Sequence, residues 1–475
     1  MELYYDVAII GSGPAGLFTA LNVLENNKTC RVVIIEKGER PNLRKCNAIV
    51  SSCSSCAICD ISCGGGGAGL YSDGKLTLDL NSGGHLDSII NESEKAKLVD
   101  YIVKTLRSFD GKSYLSKAPE KVKQVSLNNS LSKYSITSKY HNILHLGTYN
   151  LRSISTNFIN YIENRFSSRV NIIFNDEITN VNIGRHYFNL TSSTSRKIRA
   201  RNVVFAVGKG SSDWLEKALS KFGCKFFPNI LYFGVRMETL DTKMNDFFEY
   251  SLDPRITKVF KDSSRMKLHC CCKRGGVIQY KYNNNILVGG HSIFTENNSK
   301  DYQYIRKNKS SFDILLTLNP MEYNYKNILD RFTLATEGKI IIQRLGDFID
   351  NTITKSFGHI SPDNLDIVRM GNIREIISDI NDFPQKLIDF VESLSRVFPG
   401  FFDMDNLLYA PSMEWWAKRA DVNANMETTI PGIYAIGDGA GLSQGIVHAA
   451  ATGIIASNKI LLDLEKVNEV EKVLL

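Results

Sequence analysis

Apolar positions near the start of the chain fall into two short continuous runs separated by a helical stretch. Val7 to Ile10 is such a run, the pattern of a parallel strand buried on both faces, and it ends in a glycine turn. Helix-forming residues follow from Ala15 to Asn26. A second run, Val32-Val33-Ile34-Ile35, stops at Glu36. Strand, helix and strand together span about the ~30 residues that a β-α-β unit requires. Further along, Arg152 to Asn164 predicts a helix, and Val170 to Asn175 and the stretch to Leu190 predict strands. Val203 to Val207 predicts another buried strand, stopped by Gly208. Gly432 to Ile436 predicts the last strand, and Gly445 to Leu462 a closing helix.

The intervening segments differ in character. Residues 46–84 form a loop region rich in Cys, Ser and Gly. Residues 85–140 are polar, with Lys-rich helical patterns around 93–108, and read as an insertion. Residues 216–400 carry shorter, alternating strands with a few helices.

The chain has 475 residues, enough for two or three domains, and 43% of them are hydrophobic. Its 57 basic and 50 acidic residues leave a formal charge of +7, with no polybasic tract. That balance suits anionic cofactors or substrates better than nucleic acid. No apolar run reaches the ~20 residues of a membrane helix. The stretch from Ile446 to Leu462 is broken by Ser, Asn, Lys and Gly. The chain enters a strand directly after Met1, with no secretory signal pattern, and carries ten cysteines. These features predict a cytoplasmic protein with reduced thiols, and no nucleic-acid or membrane partner.

Gly11-Ser-Gly13-Pro14-Ala15-Gly16 follows a strand, opens a helix, and precedes an acid, Glu36, at the end of the next strand. Gly11 permits the tight turn, Gly13 lets backbone approach a pyrophosphate, and Gly16 lets helix and strand pack closely. The helix start turns bare N–H groups and its positive end toward the phosphates. Glu36, beside Lys37, can accept hydrogen bonds from ribose hydroxyls. This is the fingerprint of a dinucleotide site, but it does not separate FAD from NAD.

Two later segments do. The run to Gly437-Asp438 resembles the late FAD motif of the glutathione-reductase-like flavoproteins, a resemblance implying that the Asp contacts the ribityl–phosphate part of FAD. Arg201 to Gly208, with Ala206 and Gly208 at its end, is similar to the middle motif of the same superfamily. After Asp438, Gly441-Leu442-Ser443-Gln444-Gly445-Ile446 feeds the closing helix, whose start could stabilise negative charge on a reduced flavin ring. The expected fold is therefore α/β, a doubly wound Rossmann-type FAD domain made of 1–84, 141–215 and 401–475. A helical insertion at 85–140 and a mixed α+β cap or substrate domain at 216–400 interrupt it.

A narrower match lies at Cys63-Gly-Gly-Gly-Gly67-Ala68-Gly69-Leu-Tyr-Ser72-Asp73-Gly74-Lys75-Leu-Thr. With His145-Leu-Gly-Thr148, Gly234-Val-Arg236 and Pro411-Ser-Met-Glu414-Trp-Trp-Ala-Lys-Arg419, it resembles an uncharacterised family of FAD-dependent dehydrogenases. The resemblance covers nearly the whole chain and is weakest at 85–135 and 300–400. It implies an NAD(P)/FAD-dependent oxidoreductase acting on a small-molecule substrate. Small residues at 64–69 let backbone lie against a flat ring or a phosphate. Lys75 could face a phosphate or the flavin, with Asp73 orienting it.

Cys53, Cys56, Cys59 and Cys63 have the ligand spacing of a bacterial [4Fe–4S] ferredoxin, except that Gly64 replaces the usual Pro. Cys63, Cys46 or one of Cys270 to Cys272 could supply the fourth ligand. Three readings stay open: a cluster beside the flavin, a redox dithiol, and unliganded or zinc-binding cysteines. The first would take electrons from a ferredoxin-like carrier.

Glu414 and Arg419, five apart beside two tryptophans, are candidates to bind substrate, to close over the ring or to form a buried ion pair with each other, and His291 is a candidate proton donor, with His145 behind it. Gly208 to Asp213 is only a fragment of a second fingerprint, so NAD(P)H is expected as a transient donor. The substrate and direction of reaction stay open, as do two other roles, an electron-transfer flavoprotein component and an FAD-dependent RNA-modifying protein.

Overall fold

The computed structural model describes residues 3–46, 56–81, 83–87, 89–109, 113–282, 285–291, 308–363 and 365–473. The predicted apolar runs form a parallel sheet with Leu3–Ile10 at its centre. Val32–Ile35 pairs parallel on one side, and Val170–Ile173 lies beyond it. On the other side Lys197–Phe205 runs parallel to Leu3–Ile10, and Ile433–Ala435 adds parallel to its last three residues. The first half of Lys197–Phe205 turns to other partners: it pairs antiparallel with Phe188–Ser192, which pairs with Ile178–Ile183. Every side chain of Val32–Ile35, and Val203 to Phe205, is buried, which explains why these runs show no polar alternation.

Register brings four strand ends into line. Ile10 lies opposite both Ile35 and Phe205, and Phe205 opposite Ala435. Gly11, Glu36, Ala206 and Ile436 therefore leave the sheet along one edge, the carboxyl edge at which open α/β sheets bind ligands. Two helices, Pro14–Asn26 and Ile446–Val473, lie packed together. Their contact is close: a Cβ on Gly453 would sit 2.2 Å from the Ala15 carbonyl. Thr19 Oγ1 donates to the carbonyls of Ala15 and Gly453, and Asn22 Nδ2 to Ser457 Oγ at 2.7 Å.

A second sheet of eight strands carries its own core, including Phe233, Phe312, Phe383 and Phe401. Its order is Val368–Met370, Ile340–Arg344, Leu407–Trp415, Leu231–Leu240, Lys309–Leu318, Arg265–Cys272, Arg255–Val259 and Ile136–Lys139. The pairings are antiparallel except that of the first two strands. The sheet recruits strands from both sides of the 216–400 region. Ile136–Lys139 comes from within 85–140, and Leu407–Trp415 from beyond 400, so the chain returns to the parallel sheet only at Ile433. Residues 85–140 contain the helices Glu92–Ser108 and Lys121–Ser132. No helix among the described residues is long and apolar enough to cross a membrane.

Candidate functional site

A cavity of about 490 Å³ opens along the carboxyl edge of the parallel sheet, within the usual size range of small-molecule sites. Gly11, Gly13, Pro14, Ala15, Glu36 and Lys37 line it, as do Gly67, Ala68, Gly69, Ser72 and Lys75. Ala206, Gly208, Gly437, Asp438, Ser443, Gln444, Gly445 and Ile446 complete that wall. The three glycines of the first turn are used differently. Gly11 has φ +105°, and a Cβ there would lie 2.4 Å from the Ala206 carbonyl oxygen. At Gly16, which faces away from the cavity, it would lie 2.1 Å from the Gly11 carbonyl. At Gly13 it would meet only Gly67 Cα, at 3.7 Å. Gly13 alone of the three leaves open space, and that space is the cavity.

Glu36 is buried and spent on the protein itself. Its Oε2 accepts from Ser12 N and Ser12 Oγ, at 2.9 and 3.0 Å, and its Oε1 from Gly38 N and Gly64 N, at 2.9 and 3.0 Å. Two donors on each oxygen fill the lone pairs, so a ribose hydroxyl would have to share one of these bonds. The observed task of Glu36 is to tie the first turn to the glycine loop. Lys37 Nζ donates to Ser211 Oγ at 2.9 Å.

Sequence reasoning missed Arg44, which organises that loop. Its guanidinium is fully buried, and its five N–H groups all go to carbonyls: two to Asp60, one to Ile61, and Nη1 to Gly65 and Gly67 at 2.7 and 2.8 Å. Its Cζ also lies 5.3 Å from the Tyr71 ring centre. No local motif marks such a residue, because its partners are backbone carbonyls lying 16 to 23 positions further along the chain.

The closing segment forms the opposite wall. Ser443 Oγ donates to Asp438 Oδ1 at 2.6 Å. Burial pushes the Asp438 carboxyl up to about 6, against that hydrogen bond, the Gly445 backbone and Lys209. Gly441 and Leu442 do not line the cavity. A Cβ at Gly441 would lie 2.3 Å from the Ala417 carbonyl, and Leu442 accepts from His85 N at 3.0 Å. Their work is to shape the turn.

Lys75 reaches from the cavity wall toward the second sheet. It lies 3.4 Å from Asp73 and 3.7 Å from Asp253, and donates to the Cys271 carbonyl. Burial pulls its amine down, but Asp253 and Asp73 prevail and hold it above the ordinary value. Asp73, beside Lys75, and Gly74 stand behind the wall rather than on it. His145 is buried and lies opposite Lys75 in a small antiparallel sheet.

Glu414 and Arg419 are not partners. Glu414 pairs with Lys267 and lies 3.1 Å from His269 Nε2, and Lys267, helped by the His269 ring, overcomes burial to hold its carboxyl well below the usual range. Arg419 sits beyond the strand end, with its guanidinium 5.7 Å from the Phe227 ring centre. Five residues of separation therefore placed them in different surroundings. The backbone of His291 ends the strand Asn285–His291; its side chain lies outside the described residues. Lys209, read as part of a fragmentary motif, lines the cavity with its Nζ 3.7 Å from the Trp415 ring centre. Burial pushes its amine down to about 8, opposed by Glu414 and Asp438.

Of the cysteine run, Cys53 lies outside the described residues. Cys56 is exposed, Cys59 half-buried and Cys63 buried, and these three do not come together as a ligand cluster. Burial raises the Cys63 thiol above its ordinary value. Among the described residues, one group of three metal-ligating side chains gathers: His359, Asp403 and Asp405. Lys243 and Arg344 already pair with its two carboxylates.

No protein-family model matches the chain. A protein of Clostridium beijerinckii, described as uncharacterized, is 21% identical over 488 residues, covering 97% of this chain and 81% of the relative. Among solved structures, glycine oxidase from Geobacillus kaustophilus is 10% identical with a TM-score of 0.40, over 96% of this chain and 95% of its own. The p-nitrophenol 4-monooxygenase PnpA from Pseudomonas putida DLL-E4 is 11% identical with a TM-score of 0.42, over 98% and 82%. A flavoprotein/dehydrogenase from Cytophaga hutchinsonii is 12% identical with a TM-score of 0.39, over 98% and 79%.

Proposed function

We propose that this chain is an FAD-dependent oxidoreductase. In this reading FAD extends along the carboxyl edge of the parallel sheet, and the second sheet presents a small organic substrate to the flavin ring. One observation carries it. Three stretches far apart in sequence, Gly11 to Gly16, Gly64 to Gly69 and Gly437 to Ile446, turn backbone with little side chain toward a single cavity, at which two helices begin.

The residues suit the cofactor. Bare amides at the starts of Pro14–Asn26 and Ile446–Val473 offer donors and positive dipole ends to anionic groups. The space in front of Gly13 allows close backbone approach to a pyrophosphate. Lys37 would stand at the adenosine end, and Asp438 with Ser443 along the ribityl chain. Bound FAD would supply hydride or electron transfer, and the protein would supply position, charge and exclusion of water. The segments 1–84, 141–215 and 401–475 would serve the cofactor, and most of 216–400 the substrate. A reduced nicotinamide would visit as donor.

Purification followed by visible spectroscopy, chromatography of the released nucleotide and metal analysis tests the proposal. Stoichiometric FAD that bleaches with dithionite or NAD(P)H is expected. Colourless protein that takes up no FAD on incubation would overturn it.

A further inference from the structure

The strand Arg265–Cys272 breaks register with Lys309–Leu318. His269 lies opposite Asp313 and Cys272 opposite Ser311, so the first strand carries one extra residue. Within this bulge Cys270 has φ +49°, a left-handed conformation that costs a residue with a side chain roughly 1 kcal/mol or more. In an unbroken strand His269 and Cys270 would point to opposite faces. Here they meet, with Cys270 Sγ 3.2 Å from His269 Nδ1. Two cations hold the bulge in place: Arg236 donates to the Cys270 carbonyl at 2.8 Å, and Lys75 to that of Cys271.

The far ring nitrogen, His269 Nε2, lies 3.1 Å from Glu414 Oε2, a close polar contact rather than a straight hydrogen bond. Glu414 is fixed in turn by Lys267 and by Trp416 Nε1 at 3.3 Å. Thiol, imidazole and carboxylate thus touch in the order used by nucleophile, base and orienting acid in covalent catalysis. Of the three consecutive cysteines only Cys270 is exposed, whereas Cys271 and Cys272 are buried. The group adjoins the main cavity, because both Lys75 and Tyr280 line it.

We propose that Cys270 is a nucleophilic thiol for uncharged carbonyl compounds, with His269 as its base and Glu414 positioning the imidazole. The charged and titratable groups facing the pair are Glu414 and Lys267, Asp313 and Asp253, Arg236, Lys75, Cys272 and Tyr280. Although the residue reaches solvent, the sulfur itself is desolvated where it lies against His269, and this, reinforced by Asp313, Asp253 and Glu414 and opposed by Arg236, raises the thiol and keeps the resting sulfur protonated. The same carboxylates disfavour an anionic electrophile. Bond formation therefore requires proton transfer. As the Sγ–carbon bond forms, the S–H proton passes to His269 Nδ1 and the carbonyl π pair moves to oxygen. Oxygen then takes the proton, giving a thiohemiacetal with no oxidant or reductant consumed. Subsequent loss of hydride from that carbon would rest on the FAD reading; addition itself does not.

Timed labelling of the intact protein with iodoacetamide, read by peptide mass spectrometry, tests the proposal. Cys270 should react faster than Cys56, the exposed reference thiol, and benzaldehyde should protect Cys270 without protecting Cys56. His269→Gln should slow Cys270 by about 100-fold, leaving Cys56 labelling and flavin content unchanged. Should that variant not fold, Glu414→Gln is read in its place, with a smaller loss and an altered pH dependence expected. Equal rates at Cys270 and Cys56, or no response to the variants, overturns the nucleophile; absence of aldehyde protection overturns the carbonyl class. Colourless protein with a reactive Cys270 overturns only the FAD reading.

Discussion

Arg44 Nη1 donates to the Gly67 carbonyl at 2.8 Å, and Gly67 in turn backs against Gly13. A buried cation thus sets the position of a loop that contributes almost no side chains of its own. The cavity wall is shaped from behind.

The first prediction separates two glycines of one motif. A methyl on Gly13 meets no protein atom closer than 3.7 Å, whereas one on Gly16 would lie 2.1 Å from a carbonyl oxygen. Gly13→Ala should therefore fold normally and lose FAD, and Gly16→Ala should lose stability. Thermal melts beside flavin content check both; a Gly13→Ala protein with full flavin would contradict the assignment of that space to the pyrophosphate.

Replacing Arg44 should damage the loop more than its distance from the cavity suggests. Arg44→Met removes the guanidinium donors from the carbonyls of Asp60, Ile61 and Gly65, and leaves that of Gly67 with Leu70 N. A loss of roughly 3–5 kcal/mol in unfolding free energy follows from buried groups left unpaired. Arg44→Lys should recover little, because one ammonium cannot serve carbonyls spread so widely. Denaturant midpoints of the two variants measure this.

Asp438 predicts an unusual acid response. Its folded value of about 6 stands above the ordinary 3.8, so the folded state holds the proton longer than the unfolded chain. Stability contributed below pH ~4 is lost as pH rises through ~6, by roughly 2 kcal/mol for a carboxyl that opens on a cavity. Asp438→Asn should remove this loss and stabilise the ligand-free protein at neutral pH. Unchanged stability at pH 7 would show the carboxyl to be well solvated.

His448 acts in the opposite sense. Burial pushes its imidazole down from 6.5 to about 4, so the unfolded chain takes up the proton first. Stability is then lost as pH falls from 6.5 through 4. Between those limits Asp438 and His448 offset one another. Ligand-free His448→Gln should gain stability on acidification from pH 6, and Asp438→Asn should lose it; parallel curves would refute the pairing of opposed titrations.

The parts of the site legible in the sequence are those built from neighbours along the chain. Gly11 to Gly16, Glu36 and the run from Gly437 carry their geometry in local spacing, and the sheet register assembles them at one edge. Contacts made across sheets were not legible. Glu414 meets Lys267 and His269 from a strand nearly 150 positions later, and nothing in its own surroundings announces either partner. The reading of Glu414 with Arg419 relied on proximity in sequence, which the strand end at Trp415 cancels. Arg44 escaped notice because its partners are carbonyls, which every residue possesses. The strand Leu407–Trp415 joins the second sheet because it pairs with Leu231–Leu240 along nearly its whole length, a choice its apolar pattern could not announce.

Ile433–Ala435 enters the parallel sheet beside the end of Lys197–Phe205, and Gly437 to Ile446 follows directly. During synthesis the wall formed by the first glycine turn is therefore made long before its counterpart exists. A growing chain holds half a cradle, with Val203 to Phe205 exposing an unpaired edge until the final strand emerges from the ribosome. On the FAD reading, loading with cofactor would accordingly be one of the last events in the maturation of this protein.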